Sequence, residues 1–289
     1  MRYVADRRGK LTKENSAQDC FLKLLYGHVW GRALLRPLVL PQVSRLSGKI
    51  LDSKASCAFI PRFIRKHSIS MGDYVPKKYV SFNDFFKRQL KSGARSIDAG
   101  PDTLISPCDS RLSVYPVNGQ SVFSIKNTVY TTASLLKNKR LADSFVGGYI
   151  WIFRLCVEDY HRYIYVDDGY ALKSVHIPGI FHTVNPVANE YFPIYKENER
   201  EYTLLRTKRF GDVLQMEVGA MLVGKIENRP GGRAVRRGQE KGNFAYGGST
   251  VILLTKADAA QPDPDILHNS KRGIETRVKM GTRVGRRLA

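Results

Sequence analysis

The sequence predicts an α+β protein in which N-terminal amphipathic helices precede a mainly antiparallel, β-rich domain. Three observations predict it. Apolar residues recur at helical spacing from about Cys20 to Lys66; after about Pro101 the texture changes to short β-branched and aromatic runs divided by Gly, Asn, Asp and Pro; and too few helical patterns lie between those runs for a wound parallel sheet. The expected division is a helical, membrane-associating region over 1–100 and a β-rich domain over 101–289.

Taken in order, CFLKLLYGHVWGRALLRPLVLPQVSRLSGKIL places Phe21, Leu24, Leu25 and Val29 on one helical face and is interrupted by Pro37 and Pro41. Two or three short helices are expected. Lys23, Arg32, Arg36, Arg45 and Lys49 stand among the apolar residues with Trp30, the composition of a helix lying in a membrane interface. An ordinary amphipathic helix packed on the domain reads equally well. In SFNDFFKRQL, Ser81 is a helix N-cap with Asp84 in the first turn. The strand candidates are RLSVYPV, SVFSI, YIWIFRLCV, RYIYV, EYTLLR, VLQMEVGAMLVGKI and STVILL. KADAAQPDPD then reads as a loop after the last strand, and KRGIETRVKMGTRVGRRLA as a basic tail.

Charge narrows the partners. Against 26 Asp and Glu stand 47 Lys and Arg, a formal net charge of +21 over 289 residues, which attracts polyanions, whether nucleic acid or anionic lipid. Cys20, Cys57, Cys108 and Cys156 form no C-x-x-C pair, so neither a zinc knuckle nor a disulfide framework is indicated and a reducing compartment is the default. No secretory signal and no membrane span is expected, nor any metal site, since no His and carboxylate spacing supports one.

The junction NFAYGGSTVILL, residues 243–254, carries the chemistry. Glycines before a strand commonly form a turn or bulge. They also permit a strained backbone in which the Ser249 hydroxyl attacks the carbonyl carbon before it, giving an ester whose elimination leaves a dehydroalanine that hydrolyses to an N-terminal pyruvoyl group. Such a serine needs a base. Asp109 in ISPCDSRL is either a turn-capping residue or the acid that orients that base, and His161 in VEDYHRYIYVDDG is either a hydrogen-bonded interior histidine or a working one.

With these pieces in this order, the chain resembles a bacterial phosphatidylserine decarboxylase, from about Ser81 onwards. The resemblance includes SFNDFFKRQLKSGARSID, ISPCDSRL, DYHRY with DDG, IPGIFHTVNPVA, NERE, FGDVLQMEVGAMLVGKI, KGNFAYGGSTVILL and IETRVKMGTRVG. It implies cleavage between Gly248 and Ser249 into a β chain (1–248) and an α chain (249–289), with Ser249 becoming the pyruvoyl group. Asp109 would be the acid of an Asp-His-Ser relay. The pyruvoyl ketone would form a Schiff base with phosphatidylserine and act as the electron sink for loss of CO2, giving phosphatidylethanolamine. His161 would hold substrate or deliver the proton, and Arg162 and Lys225 are candidate donors to the lipid's carboxylate and phosphate. The implied partners are phosphatidylserine, an anionic membrane surface at the cytoplasmic face, and the paired α and β chains, with a homodimer left open and no nucleic acid expected.

The chain departs from the family pattern at one position. Typical members read Tyr-His-Arg-x-His and use the second histidine as the relay base, whereas Ile164 stands there in this chain. Either another histidine has taken over or the chain does not process itself and is a lipid-binding relative. The first replacement candidate is His182 in FHTVNP; the second is His161, which on a strand faces away from position 164; the third is His176. The expectation is self-cleavage through His182 or His161. A basic nucleic-acid-binding protein is the remaining alternative, and no recognised binding signature accompanies the charge.

Overall fold

The segment Ser249–Thr255 is the axis of the fold. The computed structural model describes residues 2–14, 16–119, 122–125, 128–220, 225–245 and 249–288. Every residue of Ser249–Thr255 is buried, as befits a β-branched and leucine-rich run covered on both faces. One edge pairs antiparallel with Asp212–Val218 and the other with Tyr149–Leu155. The sheet around it has eleven strands among the described residues. Outward on one side follow Arg200–Thr207, Gly169–Ala171 and Arg233–Val235; on the other, Ser110–Pro116, Glu275–Val278, Arg2–Ala5 and Leu11–Glu14. Val175–Ile177 pairs separately with Arg200–Thr207. All pairings in this sheet are antiparallel except that of Arg2–Ala5 with Glu275–Val278. The mainly antiparallel expectation therefore holds.

Strand alternation divides the side chains between two cores. Ile252 and Leu254 face one, with Ile150, Ile152, Leu214 and Met216, and there the N-terminal helices insert Leu22, Leu25, Tyr26, Leu35 and Val39. Val251 and Leu253 face the other, with Trp151, Phe153, Leu112 and Val213. A three-stranded sheet of Arg162–Ile164, Glu240–Phe244 and Ile226–Asn228 covers part of that second core, supplying Tyr163, Ile164 and Phe244. Each fully buried leucine, isoleucine or phenylalanine contributes about 1.5–3 kcal/mol relative to exposure, so both faces resist opening.

Four α-helices, rather than two or three, occupy the first apolar stretch: Ser16–Gly27, Val29–Leu38, Pro41–Leu51 and Ile60–Lys66. Pro41 begins the third, where a missing N–H costs no helical hydrogen bond, and Pro37 lies in the final turn of the second. The predicted N-cap is present, with Ser81 Oγ accepting from the Asp84 N–H at 3.1 Å. It starts the short helix Phe82–Phe86, whose phenylalanines form a third cluster with Ile60.

Two regions differ from the sequence expectation. Residues 2–14 supply two strands, not helix, because long-range contacts override a short, charged pattern. Val4 and Ala5 are buried, and Arg7 bonds Asp263 and Asp265 at 2.6 and 2.7 Å. Beyond Thr255 the chain is not loop and tail. Asp263 precedes a helix at Pro264–Lys271, and the strands Glu275–Val278 and Arg283–Arg286 follow. STVILL is thus an inner strand and not the last one.

Phe85 is fully buried and makes edge contacts with Phe63, Tyr79 and Phe82. Phe85→Ala is expected to lower unfolding stability by about 3–5 kcal/mol in chemical denaturation.

Candidate active site

Ser249 is the first residue of the axial strand, and its side chain shares a face with Val251 and Leu253, towards the second core. It is fully buried, and Oγ has no hydrogen-bond partner among the described residues. A hydroxyl in that condition has given up water without compensation, which costs about 1–3 kcal/mol and marks a group held for another purpose. The expected scissile neighbour Gly248 lies outside the described residues, as does Gly247.

Asp109 lies at the same end of the sheet. Arg154 is the register partner of both Thr250 and Arg111, so Ser249 and Ser110 occupy equivalent positions two strands apart, about 10 Å. Asp109 immediately precedes Ser110, in a turn whose Pro107 carbonyl accepts from the Ile164 N–H at 2.9 Å. Sequence positions 109, 164 and 249 are therefore gathered at one end of the second core. At the middle position the structure presents an apolar side chain, buried in the same cluster as Leu155, Cys108 and Phe244.

The Asp109 carboxylate is clamped. Arg95 Nη2 donates at 2.7 Å and Nε at 3.1 Å, Lys279 Nζ at 3.2 Å, and the Met280 N–H at 2.8 Å. Burial pushes its pKa up, but the Arg95 hydrogen bonds and the Lys279 charge outweigh burial and hold it below the usual value. Asp109 is thus a fixed anion that anchors the turn.

The histidines fall in separate environments. His161 is fully buried, with Nδ1 2.9 Å from the Asp159 carbonyl and the ring 4.2 Å from that of Phe86. A donating Nδ1–H leaves the basic lone pair on Nε2. The His161 carbonyl accepts from the Phe244 N–H, tying it to the strand that leads towards Ser249. His182 lies against the opposite core. Its Nδ1 is 3.3 Å from Tyr26 Oη, its Nε2 is 3.3 Å from Glu197 Oε2, and its ring stacks on Phe192. Those partners hold it away from Ser249, because position 182 packs under the N-terminal helices and not over the second core. His176 pairs with Glu199 at 3.5 Å on a half-exposed strand.

Arg162 is committed within the protein, to Glu240 at 2.8 Å and to the Lys87 carbonyl at 2.7 Å, so it positions Lys87. Lys225 is exposed beside Glu227 and lines a cleft of about 470 Å³ between the Pro41–Leu51 helix and the β-domain. Arg45, Lys49 and Lys87 also line that cleft, with Glu199 among the facing acids. Ala245, four residues before Ser249, forms part of its wall. Among the described residues no group of three or more His, Cys, Asp or Glu is placed to hold a metal ion.

Two charged residues that sequence reading passed over face the second core near Ser249. Glu217 and Lys241 are both buried and joined at 2.6 Å. The available signal was a charge at an inward position of an apolar strand run, VLQMEV.

Comparisons with known proteins show the family. The phosphatidylserine decarboxylase family model matches residues 82–286. The chain is 43% identical over 265 residues to phosphatidylserine decarboxylase proenzyme 2 of Clostridium acetobutylicum, covering 91% of each chain. It is 39% identical to the phosphatidylserine decarboxylase proenzyme of Clostridium novyi, covering 99% of each, and 38% identical to that of Clostridium tetani, covering 85% and 84%.

Burial lowers the His182 pKa from 6.5 to about 4. The folded value lies below the unfolded one, so its contribution to stability is present above pH 6.5 and is lost as pH falls towards 4. Denaturation between pH 7 and pH 4 is expected to show this as a slope of up to roughly 1.4 kcal/mol per pH unit, which His182→Phe removes.

Proposed function

Because the chain belongs to the phosphatidylserine decarboxylase family, we propose that it is a self-processing enzyme that converts phosphatidylserine to phosphatidylethanolamine and CO2, with a pyruvoyl group made from Ser249. The carrying observation is the Ser249 hydroxyl, fully buried and unpartnered at the start of an inner strand, at the sheet end that also holds Asp109. A group formed from Ser249 needs no separate docking site, and the environment of Ser249 fits one. It is dry, so water competes poorly, and rigid, so the reacting atoms keep their alignment. When formed, a pyruvoyl ketone supplies an electron sink for decarboxylation.

The remaining residues bind, orient and exclude water. Arg45, Lys49, Lys87 and Lys225 line the cleft beside Ala245 and offer cationic donors to the phosphate and carboxylate of the lipid headgroup. His161, with Nδ1 engaged by the Asp159 carbonyl, presents Nε2 for proton transfer. Asp109, held by Arg95, Lys279 and the Met280 N–H, fixes the turn beneath position 164. After cleavage the α chain stays in place, since Ser249–Thr255 is hydrogen-bonded along both edges and Glu275–Val278 pairs with Ser110–Pro116.

The first three helices suit a peripheral position on the cytoplasmic face of the membrane. Phe21, Leu24, Val29, Trp30 and Leu34 are all more than half exposed, Trp30 by 87%, and Leu46 and Ile50 project from the helix that carries Arg45 and Lys49. Apolar side chains beside cations match an anionic bilayer surface. No helix among the described residues is long and apolar enough to cross a membrane.

With vesicles containing phosphatidylserine, the purified chain is expected to release CO2 and form phosphatidylethanolamine, and Ser249→Ala to do neither while remaining folded. Undiminished product from the Ser249→Ala chain would remove this serine from the chemistry. In co-sedimentation with anionic vesicles, the double substitution Trp30→Ala with Leu34→Ser is expected to weaken binding at least about tenfold, since each buried apolar side chain contributes roughly 1.5–3 kcal/mol.

A further inference from the structure

Self-cleavage needs a group that takes the Ser249 hydroxyl proton, and Ile164, buried in the core at this end of the sheet, has a side chain that accepts none. The strand register identifies what else shares its face of the sheet. In the adjoining strand Asp212–Val218, Glu217 is the register partner of Val251 and Val218 that of Thr250. Ser249 and Val251 share a face, so Glu217 and Ser249 are diagonal neighbours on the same side of the sheet, with Cα atoms about 7–8 Å apart. A glutamate side chain spans that separation.

Glu217 is fully buried and its two oxygens differ. Oε2 accepts from Lys241 Nζ at 2.6 Å and from Asn228 Nδ2 at 2.9 Å. Oε1 is buried with no hydrogen-bond partner among the described residues. Two buried oxygens without partners, Ser249 Oγ and Glu217 Oε1, thus stand on diagonal positions of one sheet face.

The counter-charge reaches this point by a deliberate irregularity. The pairing of Glu240–Phe244 with Arg162–Ile164 slips between Glu240 and Gly242, which makes Lys241 the unpaired residue of a bulge and turns its ammonium onto Glu217. Gly242 beside it has no room for a Cβ, which would sit 2.5 Å from the Glu227 carbonyl oxygen and 2.8 Å from Tyr163 Oη. The same strand leads directly towards the cleavage junction.

We propose that Glu217 is the base of the self-cleavage step, held ionised by Lys241. The assignment rests on the self-processing reading above. Glu217 Oε1 takes the proton of Ser249 Oγ as the new bond forms from Oγ to the Gly248 carbonyl carbon. It returns that proton to the Ser249 nitrogen as the Gly248 C–N bond breaks, so the shift from amide to ester has no net proton change. Burial raises the Glu217 pKa and Lys241 opposes that rise, a balance that gives a more basic carboxylate than a solvated one. The other titratable groups facing it are Glu201, Tyr163, Tyr165 and Cys108; burial pushes Tyr163 and Cys108 well up and raises Tyr165, so Lys241 and Glu201 are the neighbouring charges.

The test is a cell-free synthesis of the full chain, with the fraction cleaved followed over time by mass spectrometry. The double variant Glu217→Gln with Lys241→Met removes both charges together, which a buried site tolerates better than the loss of one. It is expected to fold, by its cooperative thermal transition, and to cleave at least about 100-fold more slowly than the parent. Cleavage within threefold of the parent rate overturns the assignment. Lys241→Met alone is an independent arm. It keeps the carboxylate and raises its pKa, so the rising limb of cleavage rate against pH moves to higher pH; an unmoved limb also overturns the assignment. A parent chain that stays intact, with Ser249 unchanged, overturns the self-processing reading itself and this assignment with it, whereas a cleaving parent with a fast Glu217→Gln/Lys241→Met variant overturns the assignment alone.

Discussion

The hydrogen bonding of Ser249–Thr255 to a strand on each side is the constraint on which the rest of the structure depends. Seven register pairs with Tyr149–Leu155 and six with Asp212–Val218 fix where Ser249 sits along the sheet. A slip of one residue would turn Ser249 towards the other core and carry Val251 and Leu253 with it. Because both faces are packed, that slip is strongly opposed. The same pairing holds the segment after Ser249 in place whether or not the bond before it is intact.

Charge is arranged around this strand in two different ways. Asp109 is surrounded by Arg95, Lys279 and the Met280 N–H, and so many donors make it a poor proton acceptor and a good anchor. Glu217 has one cation and one amide on a single oxygen, and its other oxygen is unpartnered among the described residues. The two carboxylates therefore divide the work between geometry and proton transfer. Below the sheet, Arg111 and Arg154 are buried among Glu14, Asp159 and Glu275, which brings the N-terminal hairpin and the C-terminal strand together at one edge. That network is structural, since its arginines are saturated by carboxylates.

Local chemistry was legible in the sequence and long-range placement was not. The helix breaks near Pro37 and Pro41, the Ser81 cap, and the β-branched run after Ser249 are all written in adjacent residues, and the structure has them. The α+β class followed from the same patterns. The hairpin at 2–14 was illegible because its stability comes from Arg7 meeting Asp263 and Asp265, more than 250 residues away. Asp109 and Ser249 could be singled out by motif, but only strand register shows them at one sheet end. His182 seemed suited by its neighbours in sequence, yet Tyr26 and Phe192 hold it against the other core. Lys241 gave no signal at all, because a bulge decides which way its side chain points. Glu217 gave one, a charge within VLQMEV, whose meaning depended on what lay diagonally opposite.

The proposed chemistry begins with the chain cutting itself before Ser249 and converting that serine. The most direct measurement is the intact mass of the chain after synthesis and purification. Two species are predicted, one ending at Gly248 and one beginning at position 249, the second lighter by the mass of ammonia than an unmodified Ser249–Ala289 fragment. A single species with the mass of the uncut 289-residue chain and an unmodified Ser249 would contradict it.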